Sequence, residues 1–354
     1  MANQDFLLIL MPWSPGPDWI ANLSKISPRI YVHSYKVEMY ATELPREIPV
    51  ETWKNVTVLF TWKLFPTREI VPNLQYVQLL SAGCNQIMGL PLFEDTDISF
   101  CTSNGVHPFR PQIAEWVFST FLAFQHHIPE HLDNQRLSKW VDPETDEDTE
   151  DAVGLRVGIL GYGCVGRQCA NVAKAFGMDV YAYTLHERAT LESRMDDSFS
   201  EPGLGDPKGE FPTKWFFGQD QLSSFLSSDL DLLVITLPLT EKTRGMISRD
   251  QLALLSKKKT YVSNVGRGAI INTNDLMAAL DENQIRGAAL DVTDPEPLPP
   301  DHKLWKYKNV IITPHCAGNS NHYNERACKI LAYNLERRSR GESVVNRVDK
   351  LLGY

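Results

Sequence analysis

Short, continuous apolar runs occur near the start of the chain at 6–10, 30–32, 56–60 and 76–80. They lack the in–out alternation of a half-exposed sheet, so they read as parallel strands buried on both faces. Polar helical stretches and Pro- or Asp-marked turns separate them, which predicts an α/β unit. From Pro111 to about Trp140, residues Ile113, Val117, Thr120, Phe121 and Phe124 fall at helical spacing behind a proline suited to a first turn. One long helix is expected there. A second series follows at 156–160, 179–183, 230–237, 260–264, 287–291 and 310–313, six more candidate strands. Within it, 193–217 is rich in Gly, Pro and Asp and reads as an insertion or surface loop. A last helix is expected over 324–340, stopped by Gly341.

Composition narrows the class. The 354 residues suggest two or three domains, and 43% apolar with 22% charged residues fits a globular protein with a core. Lys and Arg total 35 against 44 Asp and Glu, a net charge of −9, which speaks against nucleic acid or an anionic membrane as partner. The six cysteines, Cys84, Cys101, Cys164, Cys169, Cys316 and Cys328, form no CxxC pair. They resemble neither a disulfide scaffold nor a zinc site, so no metal is expected and a reducing, cytoplasmic setting is. The apolar run at 6–11 is broken by Pro12 and lacks the basic flank of a signal peptide. Seven acids in the ten residues 142–151 read as a solvated loop.

The candidate chemistry begins where the strand at 156–160 runs into Gly161-Tyr162-Gly163-Cys164-Val165-Gly166 and then a helical stretch. This is G-x-G-x-x-G in the strand–turn–helix setting of a dinucleotide site. Gly161 would make the tight turn, Gly163 would let a pyrophosphate approach the backbone, and Gly166 would let helix and strand pack closely. The phosphates would sit on N–H groups at the helix N-terminus, around Cys164 and Val165. At the end of the next strand an acid normally binds the ribose hydroxyls of NAD, and here Thr184 stands in that place. His186 and Arg188 follow and could pair with a 2′-phosphate, which favours NADP(H). Glu187 keeps NAD(H) open, and His186 is equally well read as part of a polar surface turn.

Three further segments lie at predicted strand ends: Asn264-Val265-Gly266-Arg267-Gly268, Asp291 to Pro297, and Thr313-Pro314-His315-Cys316-Ala317-Gly318. Open α/β sheets bind ligands at that edge. Arg267 can hold carboxylate and carbonyl oxygens through its planar fork. His315 can supply a proton as a hydride arrives, and Glu296 can orient the imidazole. The remaining histidines, His107 among them, have no such context. Trp62 stands just past the third strand, as a cleft-lining or a core residue.

These stretches resemble the D-isomer-specific 2-hydroxyacid dehydrogenase family, which includes glyoxylate/hydroxypyruvate reductases. So do Leu74-Gln75-Tyr76-Val77-Gln78 with Ser81-Ala82-Gly83, Ile113-Ala114-Glu115, Thr236-Leu237-Pro238-Leu239-Thr240, and the closing Val348-Asp349 and Gly353-Tyr354. The resemblance implies a catalytic trio of Arg267, Glu296 and His315. It places Asp291 near the nicotinamide, and Leu237, Pro238, Val265, Gly266, Ala317 and Gly318 along the cofactor. It implies a carboxylate-binding loop at Ala82 and Gly83, and a homodimer formed through the cofactor domain.

The expected fold is α/β, with two Rossmann-like or flavodoxin-like domains, parallel sheets and an interdomain cleft. The substrate domain spans 1–121 plus 319–354 and is discontinuous; the cofactor domain spans 122–318. The expected reaction is reduction of a 2-oxo acid to a D-2-hydroxy acid with NADP(H) preferred. Two other readings stay open: a non-catalytic NAD(H)-binding corepressor or sensor of the same family, and a methyltransferase on a Rossmann-like site. The sequence names neither the 2-oxo acid nor a role for 193–217.

Overall fold

The computed structural model describes residues 5–27, 29–94, 96–104, 110–196 and 203–353. His107, Tyr354 and residues 197–202 of the predicted insertion lie outside the described residues. The chain forms two compact units, Met1–Phe109 with Ser320–Tyr354, and Arg110–Asn319.

In the first unit the described strands are β1 (Asp5–Met11), β2 (Ile30–Lys36), β3 (Val58–Thr61), β4 (Tyr76–Leu79) and β5 (Ser99–Cys101). All pair in parallel, in the order β2-β1-β3-β4-β5. This is the flavodoxin-like doubly wound order. Strand β1 shows why the apolar runs do not alternate. Leu8 and Leu10 enter the core on one face, while Leu7, Ile9 and Met11 pack on the other against Ala327, Cys328, Leu331 and Leu335. Those four belong to the helix Tyr323–Ser339, which ends beside Gly341 at φ 73°, as its sequence predicts. Each Leu or Ile so buried stabilises the fold by about 1.5–3 kcal/mol.

In the second unit the described strands are β6 (Arg156–Leu160), β7 (Asp179–Thr184), β8 (Lys214–Phe217), β9 (Leu232–Ile235), β10 (Tyr261–Asn264), β11 (Gly287–Leu290) and β12 (Val310–Ile312). Their order is β12-β11-β10-β9-β6-β7-β8, again parallel. Counted from β6, this is the Rossmann order with one further strand at the edge. The chain reverses direction across the sheet between β6 and β9, where ligands bind in such folds.

Three expectations need correction. The single helix from Pro111 to Trp140 is two, Arg110–Gln125 and Ile128–Arg136. They are separated at His127, which sits in the left-handed region at φ 52° just ahead of Pro129. Pro129 has no N–H to continue the first helix but suits the first turn of the second. The domain crossing falls at 109/110 and 319/320, not at 121/122 and 318/319. The reason is that the first of these helices packs on the second unit. Phe118 meets Phe176, and Phe121 and Phe124 lie 5.9 and 4.6 Å from the Tyr261 ring. Finally, 193–217 is not wholly loop: its last four residues are β8, hydrogen-bonded along β7.

Candidate active site

The Gly-rich turn leaves β6 at the switch point. Gly161 adopts φ 107°, and a Cβ there would lie 2.8 Å from Thr236 Oγ1. Gly166 has no room for a side chain, since a Cβ would stand 2.2 Å from the Gly161 carbonyl oxygen. Gly163 faces open space, with nothing within 4 Å of where its Cβ would be. The helix Cys164–Ala175 starts there, and among the described residues no side chain caps it. Two closed glycines and one open one at an uncapped helix start fit a dinucleotide pyrophosphate. From β9, the Thr236 hydroxyl donates to the Gly161 carbonyl at 2.6 Å, and Leu237 abuts Gly161. Pro238 follows, its carbonyl taking the Thr243 hydroxyl at 2.7 Å.

Thr184 ends β7 beside this turn, where the Gly161 N–H donates to the Tyr183 carbonyl. Its hydroxyl donates to the His186 carbonyl at 2.7 Å, so Thr184 shapes the bend that follows. His186 is exposed and Arg188 half-buried. The Arg188 guanidinium donates to the Ser193 carbonyl at 2.5 Å. Arg194, which the sequence reading passed over, donates to the Arg188 carbonyl and lies over the Trp215 ring. Its signal was hidden in a segment whose Gly, Pro and Asp content marked it only as surface.

The three remaining segments leave neighbouring strands, β10, β11 and β12. Asn264 folds the first: its Oδ1 accepts from the Gly266 N–H at 3.1 Å and its Nδ2 donates to the Arg267 carbonyl at 3.0 Å. The Val265 N–H continues the ladder to the Ile235 carbonyl. Gly266 and Gly268 lie flush on the structure beneath, a Cβ on either meeting the backbone of Leu237 or Thr293 at 2.7 or 2.0 Å. Arg267 stands half-buried between them in extended conformation, and its Nη1 donates to the Gly266 carbonyl at 2.7 Å.

Asp291 is buried at the end of β11 and organises the His315 turn. Its carboxylate accepts from the Thr313 hydroxyl at 2.6 Å and from the N–H groups of Cys316 and Ala317 at 2.8 and 3.0 Å. The His315 N–H donates to the Asp291 carbonyl at 2.8 Å. These bonds hold His315 at φ 53°, a left-handed conformation that costs a non-glycine residue about 1–3 kcal/mol. Gly318 closes the turn and accepts from Gln112 Nε2 at 3.0 Å.

The imidazole Nδ1 of His315 lies 2.7 Å from Glu296 Oε1, with both side chains about half exposed. An ionised carboxylate only accepts, so the pairing puts a proton on Nδ1 and leaves Nε2 as the other working nitrogen.

Ala82, Gly83 and Trp62 belong to the first unit, at the ends of the adjacent strands β4 and β3. The Ser81 hydroxyl donates to the Gly83 carbonyl at 2.7 Å. Gln86 Nε2 donates both to Ser81 Oγ at 2.7 Å and to the Trp62 carbonyl at 3.4 Å, tying this loop to Trp62. The Trp62 ring is part-buried, tilted against Tyr40 and under Lys63 Nζ at 4.3 Å.

Comparison with known proteins defines the class. Residues 118–201 and 216–317 match the family described as D-isomer specific 2-hydroxyacid dehydrogenase, NAD binding domain. Glyoxylate/hydroxypyruvate reductase A of Photorhabdus laumondii subsp. laumondii is 31% identical over 98% of this chain and 99% of its own. The D-isomer specific 2-hydroxyacid dehydrogenase of Xanthobacter autotrophicus Py2, solved with NADPH and MES, is 27% identical. It superposes with a TM-score of 0.75 over 99% of this chain and 100% of its own. A glyoxylate reductase of Aeropyrum pernix is 29% identical over 79% of this chain and 77% of its own. The chain belongs to the D-isomer specific 2-hydroxyacid dehydrogenase family. It is an NAD(P)-dependent oxidoreductase that reduces a 2-oxo acid.

Proposed function

We propose that the substrate is a short 2-oxo acid, glyoxylate or hydroxypyruvate, and that Arg267, Glu296 and His315 carry out its reduction. The observation that carries this reading is the His315–Glu296 pair at 2.7 Å, held where β11 and β12 end, β11 being the neighbour of β10, which carries the Arg267 turn. The reduced nicotinamide, when bound, supplies the hydride to the carbonyl carbon. Arg267 holds the carboxylate and carbonyl oxygens through two N–H groups of its fork. His315 Nε2 gives its proton to the carbonyl oxygen as that oxygen becomes an alcohol. Glu296 keeps the imidazole oriented through its carboxylate at Nδ1. The Ala82–Gly83 backbone is proposed for the substrate carboxylate, and Trp62 for the substrate's side.

NADPH is the proposed cofactor over NADH. Thr184 in place of an acid, with Arg188 just beyond, supports it, as does the NADPH bound to the Xanthobacter relative. A homodimer through the second unit is proposed as well. Ile128, Leu132, Leu137, Trp140 and Val141 are exposed on and after one helix, and Trp140 is 91% exposed, a surface suited to a partner copy. A reducing cytoplasmic setting is proposed from the cysteine pattern of the sequence, which holds no CxxC pair. Among the described residues no helix is long and apolar enough to cross a membrane.

The test is a panel of glyoxylate, hydroxypyruvate, pyruvate, 2-oxoisocaproate and phenylpyruvate, each with NADPH and NADH, followed at 340 nm. The expected result is the highest kcat/KM for glyoxylate or hydroxypyruvate with NADPH. Preference for a bulky 2-oxo acid would overturn the substrate assignment.

A further inference from the structure

The segment after residue 202 is knitted onto the Gly-rich turn, a connection the proposed chemistry does not use. Tyr162, between the first two glycines, is 5% exposed, and its hydroxyl donates to Asp206 Oδ2 at 2.7 Å. Asp206 is 2% exposed, and its carboxylate also accepts from the N–H groups of Glu210 and Phe211 at 2.9 and 3.1 Å. Arg167, one residue past Gly166, is 4% exposed. Its guanidinium donates to the Asp206 carbonyl and, at 2.7 Å, to the Arg194 carbonyl, and it lies over the Tyr162 ring. On the same helix, Gln168 accepts from the Gly205 N–H at 2.7 Å and Asn171 donates to the Gly205 carbonyl at 2.8 Å. Trp215 of β8 meets the edge of Tyr162 at 4.9 Å.

Buried polar groups are costly without partners. Here Tyr162, Asp206 and Arg167 each have theirs, and burial with the Asp206 charge beside it pushes the Tyr162 hydroxyl well above the usual tyrosine range, keeping it a donor. What these bonds hold is the one bulky residue in the turn. Gly161 and Gly163 on either side have no side chain of their own, so Tyr162 anchors the turn laterally, beside the backbone bonds of Gly161 to Tyr183 and Thr236.

We propose that residues 203–217 form a strap that sets the phosphate-binding turn through Tyr162, with Asp206 and Arg167 as positioning residues for the dinucleotide. This rests on the reading of 161–166 as the dinucleotide turn. A turn ordered in advance costs less to order on binding, so the strap raises affinity without touching the cofactor. Because the pyrophosphate is common to both cofactors, NADPH and NADH are affected alike.

The test compares wild type with Tyr162→Phe, which loses one oxygen and keeps the ring, and with Asp206→Asn. The readouts are Kd for NADPH and NADH by nucleotide fluorescence, KM of the 2-oxo acid at saturating dinucleotide, and hydrogen exchange of the 161–167 amides without ligand. The expected result for Tyr162→Phe is a Kd roughly three- to ten-fold weaker for both dinucleotides, with unchanged 2-oxo acid KM and faster exchange in the turn. If Asp206→Asn fails to fold, Tyr162→Phe alone decides. A lowered unfolding temperature with Kd within about twofold of wild type would reduce the strap to a stabilising contact and overturn the proposal. Wild type binding neither NADPH nor NADH would instead overturn the dinucleotide reading beneath it.

Discussion

Arg267 and Asp291 show how differently two charged residues serve one site. Asp291 spends its carboxylate on the Thr313 hydroxyl and the Cys316 and Ala317 N–H groups, so its visible work is to build the turn that presents His315. Arg267 is held between two glycines that tolerate no side chain, which fixes its backbone on a rigid floor. That rigidity makes the guanidinium's shape matter. Arg267→Lys keeps the charge and loses the planar fork. We expect both a higher KM for the 2-oxo acid and a lower kcat, with kcat/KM down by about tenfold or more, the equivalent of one charge-assisted bond. Unchanged steady-state kinetics would make Arg267 a structural residue. The proposed glycine, Arg, Glu and His positions could be picked out from the chain because each stands in a local motif. Arg167 and Tyr162 could not, since their partners come from a segment with no periodicity. A charged residue on the helical stripe shared by Gly166, Cys169, Ala170 and Ala173 was the available sign that something polar must meet it.

At the scale of elements, the bend after β7 is where we propose that cofactor choice is set. Thr184 ends the strand, its hydroxyl is engaged by the His186 carbonyl, and Arg188 and Arg194 follow on the Ser193 side. A carboxylate at 184 would accept ribose hydroxyls and repel a 2′-phosphate. Thr184→Asp is therefore expected to turn the preference from NADPH to NADH, by tenfold or more in the ratio of kcat/KM, about 1.4 kcal/mol. A ratio unchanged in this variant would locate the selectivity elsewhere. Ten of the twelve described strands were legible, because their apolar runs are continuous. Two escaped. Strand β5 has three residues and β8 four, and β8 follows a Gly- and Pro-rich stretch that reads as loop. The break at His127 was missed although Pro129, which cannot continue a helix but suits a first turn, was the available sign.

For the whole molecule, the sequence predicted two α/β domains with the substrate domain split, and the strand orders and the division into two units agree in kind. The position of the first crossing is set by aromatic packing between distant segments, Phe121 and Phe124 against Tyr261, which no local pattern reveals. The proposed assembly belongs to the same scale. Trp140 is nearly fully exposed in the single chain. Burying it in a dimer predicts that wild type sediments as twice the chain mass and that Trp140→Glu sediments as a monomer at micromolar concentration. A monomeric wild type would remove the dimer proposal and leave the chemistry in place.

The central claim is that His315, held by Glu296, delivers the proton in a dinucleotide-dependent reduction. It is tested most directly by His315→Ala, comparing kcat for the best 2-oxo acid with the Kd for NADPH. A general acid contributes about 10²–10⁴-fold, so kcat is expected to fall by that range while the Kd stays within about twofold of wild type. A kcat within a few-fold of wild type in a folded, NADPH-binding variant would contradict the account.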